Sequence, residues 1–321
     1  MNGGRSLCKQ YRPLSSLKSF LSNKMTDMLG VIGDVLVEAR SLSSRRWFGL
    51  LSPRHADLER AALLYSFAGR HQVLTRNWAL AAASYKAEAE CCRIIGKLAL
   101  EVIARTEQIN MLLTIGDYDA AHSVLVSDVL LRLYEVLSDG TWSHKILAFA
   151  HRFVPSRLDL ALDIFIRCDP IAAAHGHTVL AYNCQCGAMS VLAQLARYTE
   201  AAELAERCFR NGPVGPGEFI FRPRDHRSRA AEAILIHLAN SESIVSVRAK
   251  EDELLAMDAG LRTDLDWMLA TRILQSVETA DLSSFNYAVH TYDAITPFPA
   301  WIKPALLSIK GRITGVVETE L

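Results

Sequence analysis

The chain has 321 residues, half of them apolar, with 35 basic and 35 acidic side chains. That is ample apolar material for a core, and the zero net charge excludes bulk attraction to nucleic acid. No apolar run approaches the ~18 residues that span a bilayer as a helix. The seven cysteines are an odd, scattered set with no CxxC pair, which reads as reduced, buried thiols in a cytosolic protein.

Residues 1–26 contain no acid, five basic residues and several serines. Their composition resembles a transit peptide. Pro13 interrupts a long amphipathic helix there, and the simpler reading is a basic, disordered extension over 1–24, with Met25 opening the ordered part. From Met25 to Leu42, the residues Met28, Leu29, Ile32, Val35 and Leu36 recur at three- and four-residue intervals and predict a helix. A loop follows over 43–54, broken by Gly49 and Pro53. It carries Trp47, Phe48, Leu50 and Leu51, flanked by Arg45, Arg46 and Arg54. Two readings stand. The four apolar side chains fold back on the first helices, or they insert into a membrane, with the arginines adding about 1 kcal/mol each at an anionic surface.

Helix then follows helix to about Arg210. Trp78-x-x-Ala81, Tyr118-x-x-Ala121, Leu158-x-x-Ala161 and Tyr198-x-x-Ala201 fall 40 residues apart, three times running. A fixed period of this length with helical texture means stacked pairs of antiparallel helices. The alanine lets two helix backbones approach, and the large residue before it fills the adjoining hole. Gly116-Asp117, 138–140, Pro155-Ser156 and 174–177 are the expected turns. The Gly- and Pro-rich stretch from Asn211 to Gly217 opens a loop over 211–226. A helical bundle is expected over 227–316, with a short acidic tail over 317–321. Leu238 stands 40 residues after Tyr198, but Ser241 replaces the alanine, so the repeat decays; Phe285-x-x-Ala288 is a displaced last copy. No sustained strand pattern occurs. The fold expected is all-α: a twisted, right-handed, tetratricopeptide-like solenoid of helical hairpins closed by a C-terminal helical bundle.

Phosphate-loop, dinucleotide-binding, nucleophile-elbow and zinc-protease motifs are all missing from the sequence. Cys184 and Cys186 lie about 200° apart on a helix, so they do not share a metal. His175 and His177 flank a glycine at a turn. Glu200, Glu203 and Glu206 read as one solvated face. No catalytic residue, metal site or cofactor is expected, and the enzyme class is the weakest.

The C-terminal block reads Phe285-x-x-Ala288-Val289, Tyr292-Asp293-Ala294-Ile295, Trp301 and Leu306-Leu307-x-Ile309-Lys310. The N-terminal block is an apolar Trp47-to-Leu51 loop, Tyr65 to Ala68, and Arg76-Asn77-Trp78. In these residues the chain resembles the soluble NSF attachment protein family, alpha-SNAP type, from about Met25 to Leu321. The resemblance implies an adaptor that wraps assembled SNARE bundles of syntaxin-like and synaptobrevin-like chains. Such an adaptor recruits and stimulates the hexameric ATPase NSF and hydrolyses nothing itself. It further implies that Trp47, Phe48, Leu50 and Leu51 form a membrane loop on a cytoplasmic, peripherally attached protein. Glu318, Glu320 and Leu321 would engage the ATPase, and Lys145 would face the SNARE bundle. The chain departs from the family pattern in ending on its leucine, in having Asn183 where a lysine is expected, and in being neutral overall. The alternative is a generic helical-repeat scaffold or co-chaperone that binds a peptide. The clustered Lys and Asn of a peptide-carboxylate clamp are not found.

Overall fold

The computed structural model describes residues 31–44, 55–130, 132, 141–212 and 223–315. Every regular element among them is helical. The chain divides into two compact units, residues 1–132 and 133–321.

The first unit holds α1 (31–44), α2 (His55–Leu74), α3 (Trp78–Ile94), α4 (Leu98–Ile115) and α5 (Tyr118–Val124). In it α2 packs on α3 and α3 on α4. A π-helical stretch, Leu125–Leu130, continues α5. Its wider turn brings Leu125, Val129 and Leu130 into the core and aims Asp128 at Arg105 of α4, 3.2 Å from its Nε. Arg105 is buried, and it also donates to Glu90 of α3 (2.5 Å) and Gln108 (2.9 Å). One planar guanidinium thus ties α3, α4 and the π turn together. Nothing in the sequence pattern marks that turn.

The second unit holds α6 (Thr141–Phe153), α7 (Leu158–Ala174), α8 (Thr178–Gln194), α9 (Tyr198–Arg210), α10 (Pro223–Ala239), α11 (Ile244–Met257), α12 (Leu265–Glu278), α13 (Leu282–Asp293) and α14 (Ile302–Thr314). A 3-10 turn, Ala259–Thr263, joins α11 to α12. Neighbours in sequence pack in order from α6 to α10; α12 then returns to α10, and α14 lies on α10 and α8.

The 40-residue period has a simple structural meaning. Trp78, Tyr118, Leu158 and Tyr198 are the first residues of α3, α5, α7 and α9. The alanines three residues on, Ala81, Ala121, Ala161 and Ala201, are all completely buried. Helices α4 and α8 start 20 residues after α3 and α7, so the period is two helices of near-constant length, each closed by a tight turn. Those turns repeat one device. After α2, α3, α4, α7 and α8, one residue takes positive φ, and the next N–H reaches five residues back. The bonds are Asn77 to Gln72 (2.8 Å), Lys97 to Cys92 (2.9 Å), Asp117 to Leu112 (3.0 Å), His177 to Ala172 (2.9 Å) and Arg197 to Leu192 (2.9 Å). This Schellman closure satisfies carbonyls that the helix end would leave bare. Gly116 suits the conformation (φ 80°), whereas Ala196 adopts it at a steric cost (φ 55°). Leu238, the decayed copy, lies instead in the last turn of α10, and Ser241 takes the positive φ of the turn after it.

Candidate functional surfaces

In the first unit, Trp47, Phe48, Leu50 and Leu51 lie outside the described residues. The helices on either side of them form a firm base. Ala39 and Leu42 of α1 bury against Leu58, Ala61, Ala62 and Tyr65 of α2, over Cys91 and Cys92 of α3. Arg60 pairs with Glu38 across the two helices at 2.5 Å. Beyond this base, α2 turns an apolar line outward. Leu63, Phe67 and Leu74 are 73%, 55% and 81% exposed. They lie within about 40° of one another around the helix and span roughly 16 Å along it. Exposed apolar groups in a line mark an interaction surface more than scattered ones do. The loop drew attention in the sequence, and this stripe did not.

On α3, beside Ser66 and Arg70 of α2, sits a half-buried acid, Glu88. Burial pushes the Glu88 carboxyl up to about 7, against the bond from Ser66 and the Arg70 charge that favour ionisation, while Glu107 adds repulsion. Its Oε2 finds no hydrogen-bond donor.

In the second unit, Lys145 is exposed on α6, and Asn183 is half-buried on α8. The expectation of one solvated acidic face on α9 is corrected. Glu200 is exposed and accepts both forks of Arg197 (2.7 Å), and Glu203 is exposed as expected. Glu206 is buried. Its Oε1 meets Nε2 of His237 on α10 at 2.7 Å; its Oε2 accepts from Arg210 (2.7 Å) and from Lys250 of α11 (3.2 Å). The other ring nitrogen of His237 lies 2.7 Å from Glu242. Two carboxylates, one on each nitrogen, require both nitrogens to donate, so the ring is a cation here. Burial opposes that charge, but the bonds to Glu206 and Glu242 outweigh it and raise the pKa. In return His237 holds Glu206 down at about 2, with Lys250 helping against burial. A signal was present in the sequence. Glu206 stands four after Ala202 and three before Phe209, both of which are buried. That places it at the edge of the core face, away from Glu200.

The C-terminal pattern is a packing pattern. Phe285, Ala288, Trp301, Leu306 and Ile309 are buried. The Tyr292 hydroxyl donates to Asp266 of α12 at 2.6 Å, and Ser228 of α10 donates to its other oxygen. On α14, Ser308 and Arg312 donate to the last carbonyls of α10, Ala239 (3.0 Å) and Leu238 (3.4 Å). The closing helix therefore also caps an inner one. A polar cleft of about 780 Å³ opens between α12 and α13, with Arg272, Asp281, Ser284 and Tyr287 on its walls. Glu318, Glu320 and Leu321 lie outside the described residues. Among the described residues no group of three or more His, Cys, Asp or Glu is placed to hold a metal, and no helix is long and apolar enough to cross a membrane.

Comparison with known families matches the chain to the soluble NSF attachment protein (SNAP) model over residues 35–314. The chain belongs to the soluble NSF attachment protein family. A comparison with curated proteins finds no match. The family is one of helical, non-enzymatic adaptors that act with SNAREs and NSF. Its match begins within α1 and ends at the last residue of α14. Residues 47–51 and Lys145 therefore fall inside it, and residues 318–321 fall outside.

Proposed function

We propose that this chain binds assembled SNARE bundles and recruits and stimulates the NSF ATPase, so that the bundle is taken apart after membrane fusion. The observation that carries the reading is the family match over 35–314. The buried closing residues Phe285, Ala288, Trp301, Leu306 and Ile309 support it. The chain itself hydrolyses nothing in this scheme. Trp47, Phe48, Leu50 and Leu51 serve as a membrane contact, each worth ~1.5–3 kcal/mol if fully buried. Attachment through so few groups is weak and reversible and needs a second contact. The SNARE bundle supplies that contact through the exposed Lys145 of α6 and other groups. Glu318, Glu320 and Leu321 reach the ATPase. The protein works on the cytoplasmic side of membranes as a peripheral adaptor.

The test is capture of a preassembled SNARE bundle by the purified chain, followed by addition of NSF with a non-hydrolysable ATP analogue. Retention of both bundle and NSF is expected, and failure to retain either ends the proposal. Trp47→Ser combined with Phe48→Ser is expected to abolish co-flotation with liposomes and leave bundle capture intact. Unchanged flotation would assign those side chains to the protein core.

A further inference from the structure

A further open cleft in the second unit, of about 330 Å³, lies among α10, α12, α14 and the segment that joins α13 to α14. That volume is at the small end of ligand pockets, which run from roughly 300 to 1,000 Å³. Its walls are of two kinds. Leu235 of α10, Leu269 of α12 and Ile302 of α14 are buried and make an apolar sleeve. Pro297 and Pro299 stand exposed at the rim. The Tyr292 ring stacks on Phe298, with centroids 4.9 Å apart, and holds that rim in place. The polar wall carries two acids and one base: Glu232 and Arg229 of α10, and Asp266 of α12.

The two acids are held differently. Asp266 accepts the Tyr292 hydroxyl (2.6 Å) on one oxygen and the Ser228 hydroxyl on the other. Glu232 is only 8% exposed. Its Oε2 lies 2.6 Å from Nη1 of Arg229, yet no donor hydrogen is aligned on it. Burial pushes the Glu232 carboxyl up to about 8 against the Arg229 charge, and Asp266 adds repulsion. The other titratable groups facing it are the thiols of Cys186 on α8 and Cys208 on α9.

The charges decide what the cleft can take. With Glu232 protonated, Arg229 and Asp266 balance each other. An anion entering would meet Asp266, and the guanidinium it needs is already paired with Glu232. One cation does the reverse. Seated between Glu232 and Asp266, it lets Glu232 ionise, ends the repulsion between the two carboxylates and leaves the cleft neutral. A metal ion asks for more ligands, and among the described residues no third His, Cys, Asp or Glu joins these two. An ammonium asks only for acceptors, and its methylenes suit the apolar sleeve.

We propose that this cleft binds a primary ammonium on an aliphatic stem, with the stem against Leu235, Leu269 and Ile302 and the ammonium donating to Glu232 and Asp266. A lysine side chain of a partner chain and a free aliphatic amine both present this chemistry.

The experiment is calorimetric titration of the full chain with butylammonium, in two buffers of different ionisation heat, with butyrate as the control ion. Because Glu232 passes from protonated to ionised, binding at pH 7 is expected to release about 0.9 proton. At pH 9 the release should fall to about 0.1 proton and the affinity should rise about tenfold. Glu232→Gln is expected to weaken binding at pH 9 by roughly tenfold or more and to abolish the proton release. If that variant does not fold, the proton count on the parent chain still decides. N-acetyl-lysine N-methylamide separates the two sources: binding tighter than butylammonium assigns the site to a partner's side chain, and weaker binding assigns it to a free amine. Butyrate bound in place of butylammonium, no proton release at pH 7, or equal binding by Glu232→Gln overturns the proposal.

Discussion

Glu206→Gln isolates the charge of the buried network between α9, α10 and α11, because it keeps the side chain's size and one acceptor. Glu206 is held at about 2 against an ordinary 4.5. That lowering corresponds to roughly 3 kcal/mol. Two of its three partners are open to water, since the side chains of Arg210 and Lys250 are 39% and 33% exposed. Screening at those positions brings the expected loss to about 2 kcal/mol. The sign follows from a lowered carboxylate pKa. The stabilisation is complete above 4.5 and disappears as pH falls toward 2. Urea unfolding, followed by hydrogen-exchange mass spectrometry over α9 to α11, is therefore expected to show a deficit for Glu206→Gln of about 2 kcal/mol at pH 6. More than half of that deficit should vanish by about pH 3, where the unfolded carboxyl is already protonated. An equal deficit at both values, or none at pH 6, would refute the charge argument and leave Glu206 a packing residue.

The same network has an alkaline limb. His237 is raised above 6.5, so its contribution is complete below 6.5 and is lost as pH rises through its folded pKa; His237→Gln should flatten that limb in an unfolding titration. Glu88 runs the other way: its folded pKa of about 7 lies above 4.5, so ionisation weakens the fold as pH rises between the two. Glu88→Gln is expected to match the parent near pH 4.5 and exceed it by about 2 kcal/mol at pH 8 after screening; equal stabilities at pH 8 would remove the buried-acid account. A methyl group at Gly187 of α8 would sit 2.5 Å from two ring atoms of the fully buried Phe165. Gly187→Ala should lose about 1–2 kcal/mol, the overpacking outweighing about 1 kcal/mol of gained helix propensity, and added Phe165→Leu should recover part of it in thermal melts. Ala196→Gly should gain about 0.5–1 kcal/mol by relieving the positive φ of the turn, and a lower melting temperature would contradict it.

The repeat was legible because it rests on local rules. An alanine recurs at the helix crossing three residues after a large residue, as at Tyr118 and Ala121, so spacing alone revealed a stack of helix pairs; that the large residue opens each helix came from the structure. Of the closing pattern, Phe285, Trp301 and Ile309 are buried as an apolar closing segment requires, while Ile295 stays 63% exposed. The residues missed depend on partners far along the chain. Glu206 looks like its solvated neighbour Glu200 until His237, 31 residues on, and Lys250, 44 residues on, are seen beside it. The π turn at Leu125 depends on Arg105, buried one helix earlier. Helical periodicity tells which residues share a face, and only packing tells what that face meets.

ATP-driven disassembly of a fluorescently labelled SNARE bundle measures the proposed adaptor role most directly. With NSF and ATP present, adding this chain is expected to dissociate the bundle, and Leu321→Ala is expected to slow dissociation while leaving bundle capture unchanged. A bundle that stays assembled at saturating concentrations of this chain and NSF would contradict the account.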